Sequence, residues 1–136
     1  MESNKILHIL ICGGRHFCDY NMLKSTVLSH INSRGIPYQN IEIISGHCPG
    51  ADALGEQFAK EHNATLKIFP ARWKEYGRSA GPIRNKEMVD YISAFENKVV
   101  IAFVSPNSKG TRNTIALARK ASIDVIITEY LSEESQ

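Results

Sequence analysis

At 136 residues, 43% hydrophobic and 22% charged, the chain has the size and composition of one globular domain with a real core. A formal net charge of +2 excludes a protein whose main business is coating nucleic acid. The three cysteines, Cys12, Cys18 and Cys48, form no Cys-x-x-Cys pair, so neither a disulfide framework nor a zinc ribbon is expected and a reducing cytoplasm fits best.

Met1 to Lys5 leads straight into the apolar run Ile6 to Cys12, too short to span a membrane and without a small-residue cleavage site; neither export nor membrane insertion is expected. That run ends at Gly13-Gly14, as a strand buried on both faces ends in a tight turn. Tyr20, Leu23, Val27, Leu28 and Ile31 recur at helical spacing before Gly35, which predicts a helix over Tyr20 to Arg34. The unit then repeats. Ile41 to Ile44 is a β-branched strand, Ser45 to Gly50 a loop, Ala51, Leu54, Phe58 and Ala59 a helical stripe, and Thr65 to Phe69 a third strand.

An irregular segment from Pro70 to Pro82 precedes a helix expected over Ile83 to Phe95, and Val99 to Val104 is the fourth strand. After a loop, Thr111 to Ala121 reads as a helix and Ile123 to Thr128 as the last strand. Residues 1–130 thus form one α/β domain, a Rossmann-like, mostly parallel five-stranded sheet sandwiched between four helices, followed by a polar tail over 131–136.

In such a sheet ligands bind beyond the carboxyl ends of the strands, where the strand order reverses. Three loops there have the composition of an anion site. Gly13-Gly14-Arg15 offers bare backbone and a guanidinium fork, though in isolation a tight turn with Arg15 in solvent is the favoured explanation. Ser45, Gly46 and Gly50 precede a helix start, and Ser105 to Thr111, with Gly110 and Thr111, repeats that design. Asp52 suits either capping of its helix or recognition of a ribose hydroxyl. The segment from Ala71 to Asn85 adds Trp73 and Tyr76, which either stack on a base or plug the loop onto the body, together with Arg78, Arg84 and Asn85.

No Gly-x-x-x-x-Gly-Lys-Ser/Thr motif occurs, so an ordinary P-loop ATPase is excluded. His16, Cys18, His47 and Cys48 would make four zinc ligands if their loops met, but their spacing matches no zinc pattern and no metal site is expected.

Taken together, Gly13-Gly14-Arg15-x-Phe17-x-Asp19, Gly46-x-Cys48-Pro49-Gly50-Ala51-Asp52, Trp73-x-x-Tyr76-Gly77, Ala80-Gly81-Pro82-x-Arg84-Asn85-x-x-Met88 and Lys109-Gly110-Thr111 resemble the YspA-like branch of the SLOG superfamily. The resemblance covers residues 5 to 128 and extends to the LOG phosphoribohydrolases and DNA-processing protein A. It implies a pocket for a nucleotide, NAD or an ADP-ribose-like ligand, no prosthetic cofactor, and a homo-oligomer. LOG enzymes cleave the N-glycosidic bond of nucleoside monophosphates with an arginine ahead of a methionine-bearing helix, which Arg84 and Met88 resemble, and with a glutamate after a Gly-Thr loop. Here Thr114 stands in place of that glutamate, so a carboxylate for hydrolysis has to come from Asp52 or Glu87.

The leading expectation is a binding or sensing domain for a nucleotide-derived small molecule, with Arg84 clamping a charged group. The alternative is a nucleotide N-glycosidase in which Arg84, Asp52 and Glu87 are catalytic. A second alternative is a DNA-processing accessory protein using Arg72, Arg78 and Arg84, although the chain has no strongly basic stripe for nucleic acid.

Overall fold

A computed structural model describes residues 5–131; the polar tail over 132–136 and the N-terminal residues 1–4 lie outside them. Five strands, β1 (Leu7–Gly13), β2 (Ile41–Ser45), β3 (Thr65–Ile68), β4 (Lys98–Val104) and β5 (Val125–Glu129), form one sheet in the order β3-β2-β1-β4-β5. All four pairings are parallel, with Ile9 opposite Ile43 in β2 and Val99 in β4. The sheet is therefore wholly parallel.

The helices are α1 (Tyr20–Arg34), α2 (Ala51–Glu61), α3 (Trp73–Tyr76), α4 (Ala80–Ser93) and α5 (Lys109–Lys120). Leu7, Ile9 and Ile11 of β1 pack with Leu23, Val27 and Ile31 of α1 and Phe58 of α2, whereas Leu10 and Cys12 pack with Met88 and Ile92 of α4 and Ile115 of α5. β1 is apolar almost throughout because helices cover both faces. Asp19 caps α1 by accepting from the Met22 N–H at 3.0 Å, and Gly35 ends it in the left-handed region at φ 65°.

The expected count of four helices is corrected to five. Trp73–Tyr76 forms a single turn inside the segment expected to be irregular, followed by a 3₁₀ turn over Gly77–Ser79. α4 begins at Ala80, ahead of the expected Ile83, because Pro82 lies in the first turn, where its missing N–H would have had no intrahelical partner. Among the described residues no helix is long and apolar enough to cross a membrane.

Candidate functional site

β1 and β4 are neighbours, yet the chain leaves β1 toward α1 on one face and β4 toward α5 on the other. The diverging connections open a crevice beyond the carboxyl edge of the sheet. A cavity of about 680 Å³ occupies it. Gly13, Gly14 and Arg15 after β1, Cys48 and Asp52 around the start of α2, and Trp73, Arg84 and Asn85 from α3 and α4 contribute to its wall. Ser108, Gly110 and Thr111 at the start of α5 line it too.

Arg84 is the best-buried cation there, 8% exposed. Its Nη1 donates to the Gly46 carbonyl at 2.5 Å and its Nε to Asn85 Oδ1 at 2.9 Å, while both Nη atoms lie 3.8 Å from Cys48 Sγ. Asn85 in turn donates to Gly110 O and Asn113 Oδ1, which ties α4 to the start of α5. The guanidinium is thus held from two sides, but among the described residues it makes no ion pair.

Asp52 lies close by but is turned elsewhere: its Oδ2 accepts from the Cys48 N–H at 3.2 Å. Burial is the main influence on this carboxyl and pushes its pKa up to about 6, against the opposing pull of the Cys48 N–H and of Arg84. It is the one carboxylate in the cavity wall among the described residues, a wall that Arg15, His16, Arg84 and Lys109 also line. The electrostatic balance of the cavity therefore favours an anion.

Other predicted residues stand behind the wall. Ser45 is fully buried, donates to Glu56 Oε2 at 2.8 Å and accepts from the His47 N–H. Gly46 has Arg84 and Asp52 packed where a Cβ would be. Gly50 adopts φ +85° and brings its Cα against the Gly14 and Arg15 backbone, so it locks two loops together. Tyr76 lies under the Arg72 guanidinium, 5.1 Å from ring centre to Cζ, and Glu87 pairs with Arg72 at 3.0 Å. Trp73 does reach the cavity wall, half exposed, whereas Tyr76 and Glu87 are absent from it. His16 and Cys48 share the cavity wall, but among the described residues no group of three or more His, Cys, Asp or Glu converges on a metal-sized site.

Sequence reasoning missed Tyr130 and Asn113, both in the wall. Tyr130 follows the last strand with no glycine or basic neighbour to mark it. Asn113 carries no local signal beyond its place one turn into α5.

A profile of the YspA- and cpYpsA-related SLOG family matches residues 7–76, half of the chain. The chain belongs to this SLOG family. A further relative is Gene 61 protein of Mycobacterium phage D29, 30% identical over 123 residues that make up 87% of this chain and 93% of that protein. Among solved structures, DNA processing protein A (DprA) from Streptococcus pneumoniae shares the fold, with a TM-score of 0.66 at 15% identity over 93% of this chain. This SLOG chain covers 51% of the DprA chain, about half its length. The profile match ends at Tyr76, so Arg84, the start of α5 and Tyr130 all lie beyond it.

Proposed function

We propose that the cavity binds a nucleotide or nucleotide-derived ligand and that Arg84 supplies the counter-charge for its phosphate. The observation that carries this reading is a buried guanidinium, fixed by Gly46 and Asn85, that lines an open cavity without a carboxylate partner among the described residues. A buried, unpaired charge is costly, by several kcal/mol, and an anionic ligand removes that cost. Gly14, Arg15, Gly110 and Thr111 complete a phosphate cradle in this reading, with the base against Trp73. The size of the cavity, about 680 Å³, suits a nucleotide-sized ligand.

The test is calorimetry and thermal shift with AMP, GMP, ADP, ATP, NAD and ADP-ribose at constant ionic strength. At least one of them raises the apparent stability of the wild type, and Arg84→Ala weakens that ligand about a hundredfold. Equal binding by Arg84→Ala would sink the assignment.

Asp52 favours a second reading, the nucleotide N-glycosidase. It is the carboxyl group available in the wall, and a pKa of about 6 lets it hold or release a proton near neutrality. Release of free base from the bound nucleotide, abolished by Asp52→Asn with binding retained, would convert the binding module into an enzyme. A DNA-processing role has weaker support: Arg72 is engaged by Glu75 and Glu87, and Arg84 is buried, so these arginines and Arg78 do not form a basic stripe.

A further inference from the structure

Tyr130 stands just past the end of β5, where its N–H donates to the Val104 carbonyl at 2.9 Å. Its ring packs on Phe17 at 4.8 Å between centroids, and Phe17, itself buried, stacks on the buried Phe103 at the same spacing. This aromatic column fixes the phenol in place. The hydroxyl reaches over the bare Cα of Gly14 into the space that a side chain at position 14 would fill. Ser108 Oγ approaches the same space, 3.2 Å from where a Cβ would be.

The surroundings of this hydroxyl define what it can bind. Among the described residues it has no hydrogen-bond partner, and it faces the cavity beside Arg15, Ser108 and Lys109. Ser108 is the N-cap of α5, whose first turn carries no acidic residue. Asp52, the wall's carboxylate, sits across the Gly46 side near Arg84. In a neighbourhood of cations and donors, a phenol acts as a donor to an anionic oxygen. Because its ring is already immobilised, little entropy is lost on binding.

Resting on the reading of the cavity as a nucleotide site, we propose that Tyr130 contacts the ligand and selects a phosphorylated nucleoside over the free nucleoside, its hydroxyl donating to a phosphate oxygen seated over Gly14. Gly14 then has two roles, since only glycine leaves room for both the phenol and the ligand.

The experiment is calorimetric titration of the full chain, wild type beside Tyr130→Phe and Arg84→Ala, with AMP, GMP, CMP and UMP and with the matching nucleosides. Tyr130→Phe keeps the ring and its stacking. It is expected to weaken the best-bound monophosphate about tenfold, while nucleoside affinity and ligand-free Tm stay at wild-type values. Unchanged monophosphate affinity in Tyr130→Phe, with Arg84→Ala still defective, overturns the role of Tyr130 and leaves the nucleotide reading standing. An equal loss for nucleoside and monophosphate overturns the phosphate contact as well. If the wild type binds none of the four monophosphates, the role of Tyr130 in selecting them fails, and the nucleotide reading fails with it only if ADP, ATP, NAD and ADP-ribose do not bind either.

Discussion

Two helix N-termini point toward the same cavity, and they are built differently. At α2 the helix start is closed by protein groups: the Ala51 N–H donates to the Gly14 carbonyl of the loop after β1 at 3.3 Å, the Cys48 N–H to Asp52, and the His47 N–H to Ser45. At α5 the N-cap residue Ser108 makes no side-chain cap bond, because its Oγ accepts from the Ser105 N–H at 2.9 Å behind it. The first turn of α2 contains Asp52, and that of α5 contains no acid. A helix start becomes an anion site when its own side chains leave its positive end unanswered. By that measure α2 is a structural joint with Arg84 docked on it, and α5 is the end left open to the cavity.

The largest expected effect that separates the two comes from their glycines. Gly50→Ala has to hold an alanine at φ +85° against the Gly14 and Arg15 backbone, and should lower stability by roughly 3 kcal/mol or prevent folding. At Gly110, where a Cβ meets nothing, alanine should raise stability by up to about 1 kcal/mol through helix propensity. Chemical denaturation of the two variants checks this. Similar losses in both would show that the α5 start is as tightly packed as that of α2.

A smaller effect sharpens the electrostatic side of the comparison. Burial raises Asp52 from its usual value of 3.8 to about 6, so the folded chain binds its proton more tightly than the unfolded chain does. Stability attributable to Asp52 is therefore fully present below pH 3.8, declines as pH rises toward 6, and is level above that, a loss on the order of 3 kcal/mol. Asp52→Asn should remove that decline in stability-versus-pH curves. It should also flatten the weakening of AMP binding above pH 6 that the negative charge beside Arg84 otherwise causes. A decline that persists unchanged in Asp52→Asn would assign it to another group.

The smallest effect is a footprint. Cys48 lines the cavity and Cys18 is exposed elsewhere, while Cys12 is buried. A saturating nucleotide should slow alkylation of Cys48 several-fold and leave Cys18 unaffected, read by mass spectrometry of the labelled peptides. Equal labelling with and without ligand would place the ligand away from the α2 side of the cavity.

Much of the architecture was legible because it is written in local periodicity. The apolar runs of β1 and β4, the stripe of α1 and Gly35 at its end each state their structure within a dozen residues. The wall positions of Gly14, Arg15, Asp52, Arg84 and Gly110 were also foreseeable, since glycines, cations and helix starts after parallel strands converge in any doubly wound sheet. Local composition misled where two readings share it. The α2 and α5 loops look alike as sequence, and only hydrogen bonding tells the joint from the opening. Glu87 and Asp52 were equal candidates as carboxylates, yet Glu87 is drawn off by Arg72 and Asp52 is buried in the wall.

By itself, then, the sequence determined the strand and helix alternation, the parallel sheet and the end of it at which the cavity opens, because backbone preference and hydrophobic period act over neighbouring residues. Tertiary structure alone decided that Arg84 would be buried without an ion pair among the described residues, that Ser108 would turn its hydroxyl away from α5, and that Tyr130 would reach over Gly14. Those outcomes depend on the order β3-β2-β1-β4-β5, which brings the ends of β1, β4 and β5 together across more than a hundred residues of chain.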